Sequence, residues 1–124
     1  MKGRNMKILG LLLIFTMLAA EPEPEPEMEL IRTTVYDGPT DTTATGRKAE
    51  YGIVAYRLDY YGKCCILYTA DMEYIGIFEC QDTGGEKVKA GKVLDVYCPT
   101  RQECYDWVAE NGEYCYVQWI DSVG

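Results

Sequence analysis

From Leu30 onward the chain reads as short apolar runs separated by glycine, proline and acidic turns. Ile31 to Tyr36 alternates, with Ile31, Thr33 and Val35 on one side, and runs into the turn residues Asp37-Gly38-Pro39. Asp41 to Lys48 is polar and reads as a flexible loop. Gly52 to Tyr56 (GIVAY) is a candidate buried strand, and Asp59 to Lys63 turns on Gly62. Cys64 to Thr69 and Tyr74 to Cys80 form a predicted hairpin across Ala70 to Glu73, with Gly76 marking a bulge or a close neighbour. Lys92 to Tyr97 (KVLDVY) is a further strand. The period then changes: Thr100 and Glu103 make a capping box, and a helix is predicted from Arg101 to Glu110, ended by Asn111-Gly112. Tyr114 to Trp119 (YCYVQW) closes the pattern as a strand.

Six strands with one short helix, no β-α alternation and no repeat predict a mainly β fold. A small closed barrel suits this pattern, because closure leaves no exposed strand edge. The segment that organises it is Phe78 to Tyr97, in which two strand-like pieces flank a loop carrying Gly84, Gly85 and Gly91. That loop reads as too glycine-rich to bury much.

The ends differ in kind from the middle. Met1 to Ala20 has a basic start, an apolar run from Ile8 to Leu18 and small residues at Ala19 and Ala20, which together read as a secretory signal peptide. The apolar run falls short of the roughly 20 residues of a membrane span, so the expectation is export with no stable membrane insertion after cleavage. A retained anchor is the alternative. Glu21 to Glu29 (EPEPEPEME) is an extended, self-repelling spacer, and residues 30–124 form the predicted domain.

Charge narrows the partners. The net charge is −8, and without Lys2, Arg4 and Lys7 nine basic groups face twenty acidic ones. That balance argues against a nucleic-acid partner. There is no histidine, which removes Ser-His and Cys-His nucleophile schemes and imidazole metal sites. No C-x-x-C spacing supports zinc, and no cofactor is expected. The six cysteines, Cys64, Cys65, Cys80, Cys98, Cys104 and Cys115, are open to two readings, three disulfides or buried free thiols. Adjacent Cys64 and Cys65 point to opposite faces of a strand and are poor partners for each other.

Acid-base work at neutral pH therefore falls to Asp, Glu, Tyr or Cys, and the carboxylates carry the sharpest candidates. Val93, Asp95 and Tyr97 share one face of their strand, and Leu94 and Val96 the other. A strand aspartate on its own is most often solvent-facing. Beside apolar walls and a second carboxylate, however, Asp95 would hold a proton toward neutral pH and could donate it to a leaving oxygen. Asp82 is the candidate neighbour, although Asp-Thr-Gly-Gly alone is good turn sequence. Gly84 and Gly85 would let a polymer approach the backbone, and Thr43 and Thr45 offer hydroxyls.

The segments Thr43-Ala44-Thr45-Gly46, Gly52-Ile53-Val54-Ala55, Phe78 through Gly85 (FECQDTGG) and Val93-Leu94-Asp95-Val96-Tyr97, followed by a capped helix and a YVQW strand, resemble the 3D domain, named for three aspartates. The resemblance covers Ile31 to Ile120 and implies a six-stranded double-psi β-barrel. It is closest to the short versions from Firmicutes and their mobile elements. It also implies a monomeric lytic transglycosylase acting on the glycan strands of peptidoglycan in the cell envelope. On that resemblance Asp95 is the catalytic acid/base, Asp82 the supporting aspartate, and Thr43, Thr45, Gly84, Gly85 and Asp59 substrate-side residues. Where such domains carry a first aspartate, this chain has Tyr56-Arg57, and Asp59 stands displaced. A non-catalytic glycan-binding module on the same barrel is the alternative, and a disulfide-stabilised domain with a protein partner a second one.

Overall fold

The computed structural model describes residues 27–38 and 42–120. The predicted signal segment, most of the spacer and the turn at Pro39 lie outside them. The strands are β1 (Glu29–Tyr36), β2 (Ile53–Ala55), β3 (Cys64–Thr69), β4 (Tyr74–Asp82), β5 (Val93–Tyr97) and β6 (Tyr114–Ile120). They close into a barrel in the order β1-β5-β2-β4-β3-β6. Pairs β1/β5 and β2/β4 are parallel and the other four antiparallel. Exchanging β1–β3 for β4–β6 maps this ring onto itself, so the two halves of the chain interlock about an internal twofold. The expected mainly β, six-stranded closed barrel with a helix near its C-terminal end is therefore present.

Alternation along each strand decides what goes inside. Ile31, Val54, Cys65, Leu67, Phe78, Cys80, Leu94, Val96, Cys115 and Val117 point inward and are buried in one cluster. The β-branched and aromatic side chains suit a pleated, close-packed surface. Two plugs close the barrel at opposite ends of β2. At its start Tyr51 packs edge-on against Phe78 and accepts a 2.9 Å hydrogen bond from the Trp107 indole. At its end Tyr56 stacks on Trp119, with Tyr60 edge-on to both. Trp107 comes from helix α2 (Arg101–Asn111), where Thr100 accepts from the Glu103 amide at 3.1 Å and Gly112 stops the helix at φ 85°. The capping box and the glycine stop are those the sequence predicts.

Three local readings change. The glycine-rich loop after β4 contains a single helical turn, α1 (Glu86–Lys89), which buries Val88 against Ala55 and Val93 on the outside of the barrel. Gly84 lies beside Val88, which would be in ordinary van der Waals contact, at 3.4 Å, with a Cβ placed there. The segment from Thr42 to Lys48 is a closed turn, pinched by a Thr42–Lys48 bridge, and not the open loop its polarity implied. The spacer also yields Glu29 to β1, where it pairs with Val117. Gly76 meets both expectations, lying beside a register slip in the β3/β4 ladder, with the Phe78 ring 3.4 Å from where its Cβ would stand.

All six cysteines are buried free thiols. Burial pushes the Cys98 thiol up to about 12 and Cys80 up to about 11, so they pack as small apolar groups and are not poised as nucleophiles.

Candidate active site

The outward faces of four strands build the site. Thr34 on β1 pairs with Asp95 on β5, Asp95 pairs with Ala55 on β2, and Ala55 pairs with Asp82 on β4. One row of side chains thus runs across the sheet, with Asp95 and Asp82 flanking the small Ala55. Strand spacing sets their backbones roughly 10 Å apart.

Strict alternation would turn Asp82 inward with Cys80. The β2/β4 ladder slips instead: Val54 faces Cys80 and Ala55 faces Asp82, leaving Gln81 as an extra residue. This bulge re-aims Asp82 onto the outer face, a common use of bulges beside functional sites.

Asp82 is held on every side. Its Oδ2 accepts from the Tyr36 hydroxyl at 2.7 Å, and its Oδ1 accepts from the Ala44 and Thr83 amides, each at 2.9 Å. The Thr42–Lys48 turn is fixed to β4 by the same region. Thr45 donates its hydroxyl to the Gln81 side chain, its amide bonds the Gln81 carbonyl, and Thr43 is buried beneath it with its hydroxyl 3.2 Å from that of Thr45. Thr43 and Thr45 therefore act first as braces for the turn that donates to Asp82.

Asp95 is half-buried and held at one point. Its Oδ1 accepts from Thr34 Oγ1 at 2.8 Å. Its other oxygen has no hydrogen bond among the described residues. No buried side-chain oxygen or nitrogen there lacks a partner, so this oxygen opens to solvent. Burial raises the Asp95 carboxyl above its ordinary value of 3.8, the Thr34 hydrogen bond lowers it, and the negative charge of Asp82 raises it further. The two carboxyls thus share one electrostatic environment.

Neither a family model nor a curated protein matches this chain.

Tyr36 is the functional candidate that pattern-reading missed. It packs edge-on against Tyr97 with ring centroids 5.4 Å apart and feels both carboxyls. Burial first, then the bond to Asp82, raises its phenol well above the ordinary range, so it stays a protonated donor. Its place on the Thr34 face was legible from the β1 alternation. The parallel pairing of β1 with β5, which brings that face to Asp95, was not.

The remaining candidates separate. Gly85 opens α1 with free space where a side chain would stand. Asp59 sits in a 3-10 turn (Leu58–Tyr60), exposed and clamped by Arg57 through bonds of 3.0 and 2.7 Å. That pair holds the Asp59 carboxyl below its ordinary value and keeps the Arg57 charge occupied. Asp59 makes no hydrogen bond to the residues around Asp95 and Asp82. Among the described residues no group of three or more Cys, Asp or Glu is arranged to hold a metal ion, and no helix is long and apolar enough to cross a membrane.

Proposed function

We propose that the outer face of this barrel around Asp95 and Asp82 binds a glycan strand and that Asp95 serves as its acid/base, in a lytic transglycosylase acting on peptidoglycan. The observation that carries this reading is the state of Asp95: a half-buried carboxyl with a raised pKa, one oxygen fixed and the other open to solvent. A protonated Asp95 would give its proton to the oxygen linking N-acetylmuramic acid to N-acetylglucosamine as that C–O bond breaks. The resulting carboxylate would take the proton of the muramic acid 6-hydroxyl as that oxygen bonds to the anomeric carbon. The product is a 1,6-anhydro end, no water is consumed, and Asp95 returns protonated. One carboxyl of raised pKa suffices, in contrast to the two working carboxyls of retaining and inverting glycosidases. Asp82 supports the cycle by its charge and by holding Tyr36. Export through the N-terminal segment would place the domain at the wall.

A second reading, a binding module without catalysis, has one observation in its favour. The position after β2 carries Tyr56 and Arg57, and the displaced Asp59 is occupied by Arg57. The two readings separate on product. The protein is incubated with purified peptidoglycan, and anhydromuropeptides are sought by mass spectrometry. Product from the natural chain and none from Asp95→Asn supports catalysis. Product from both removes Asp95 from the chemistry, and wall binding with no product from either leaves the module.

A further inference from the structure

Beside the acid pair lies an open cleft of about 480 Å³ lined by Arg32, Thr34, Lys87, Lys92 and Val93. Its walls follow from the fold. Arg32 and Thr34 are outward residues of β1, paired with Val93 and Asp95 on β5. Lys87 comes from α1, and its carbonyl accepts the Lys92 amide at 2.9 Å, which closes the turn into β5. Thr34 belongs to both places, since it forms the cleft wall and holds Asp95.

The charge is out of keeping with the rest of the molecule. A chain of net charge −8 gathers three of its 12 basic residues around one cleft. Among the described residues Lys87 and Lys92 form no ion pair, and Arg32 reaches only Glu113 at 3.8 Å, both side chains being more than half exposed. Two lysines without an ion pair and an arginine held only by a long, exposed one repel one another, and an anion entering between them relieves that repulsion.

We infer that this cleft is a subsite for a carboxylate carried by the sugar next to the bond that Asp95 faces. Because Thr34 lines the cleft and also bonds Asp95, the acidic group would belong to a sugar adjoining the scissile oxygen. The site would thereby favour an acidic hexosamine over the neutral units of chitin. On a muramic acid the carboxylate has two possible sources, the lactyl ether itself or the peptide stem attached to it. This inference rests on the glycan reading for its ligand but not on catalysis.

The test is binding to the full chain carrying Asp95→Asn, by calorimetry at low salt, with three probes: chitobiose, N-acetylglucosaminyl-N-acetylmuramic acid with a free lactyl carboxylate, and the same disaccharide bearing its peptide stem. Adding Lys87→Gln and Lys92→Gln is expected to weaken acidic probes roughly five- to tenfold, leave chitobiose unchanged, and lose its effect in high salt. Both lysines are exposed, so an unchanged melting curve is expected. Loss confined to the free-lactyl probe assigns the lactyl group, and loss confined to the stem-bearing probe assigns the stem. Equal binding of acidic probes with and without the two lysines overturns the inference, as does no binding of any probe. Anhydro-product formation by the natural chain is a separate readout, so failure of the catalytic reading is distinguishable from failure of the subsite.

Discussion

Asp82 and Asp95 stand on the same row of the same face, on either side of Ala55, yet the barrel treats them oppositely. Three donors converge on Asp82. One hydroxyl reaches Asp95, and its other oxygen is open. A carboxylate used as a fastener is surrounded by donors, and one used to move a proton is left with an oxygen to spare. Residue type and position in the row are shared, so the role is set by the neighbours each strand supplies.

The sharpest way to break this contrast is Asp95→Asn. It should lower anhydro-product formation by about 10²–10⁴-fold while the protein stays folded, read by product yield beside a thermal melt. The same variant should be at least as stable as the natural chain, the gain appearing as pH rises and the natural carboxyl ionises, since an uncharged side chain then replaces a half-buried charge. The sign follows from the raised Asp95 carboxyl. The folded state holds that proton more tightly than the unfolded one. Its stabilising contribution is complete below the ordinary value of 3.8 and is lost as pH rises through the raised folded value. The two proteins should therefore melt alike in acid and diverge with increasing pH.

Asp82→Ala should do the reverse and act mainly on stability. Losing an acceptor for three donors, with Tyr36 left half-buried, should cost about 2–4 kcal/mol, or roughly 10–20 °C in Tm by calorimetry. Hydrogen exchange should report early opening of the Thr42–Lys48 turn. A stable Asp82→Ala protein with intact turn protection would dissolve the distinction between the two aspartates. Tyr36→Phe removes one of those donors and should cost about 1 kcal/mol in urea unfolding.

The smallest effect is the most specific. Thr34→Val keeps the β-branched shape and removes the one hydrogen bond that favours charged Asp95. The alkaline limb of the activity profile, or the Asp95 carboxyl followed directly by NMR, should move to higher pH. Movement to lower pH would show that Thr34 is not what holds that oxygen.

Much of this architecture was readable before any coordinates. The strand cores, the Thr100–Glu103 cap and the split of β5 into a Leu94/Val96 face and an Asp95/Tyr97 face all rest on local periodicity, which a sequence carries directly. What it does not carry is which strand lies beside which. The union of Thr34, Tyr36 and Asp95 depends on the β1/β5 pairing across about sixty residues, and the outward turn of Asp82 depends on the bulge at Gln81. Val88 was hidden for another reason: flanking glycines and lysines outweighed the one apolar residue that anchors α1. Asp59 looked eligible by type, and its pairing with Arg57 is a local contact that residue type alone does not announce.

The β1/β6 ladder, in which Glu29 pairs with Val117, sets how the domain would respond when pulled. Both ends of the folded unit leave by the rim where Tyr56, Tyr60 and Trp119 stack, so tension between residues 29 and 120 loads the ladder one rung at a time. Such a unit peels open from a single seam under modest force rather than resisting as a sheared sheet. The same proximity means that a short linker from 120 back to 29, with new ends cut at the exposed Ala70–Met72 turn, should leave the face around Asp95 and Asp82 intact.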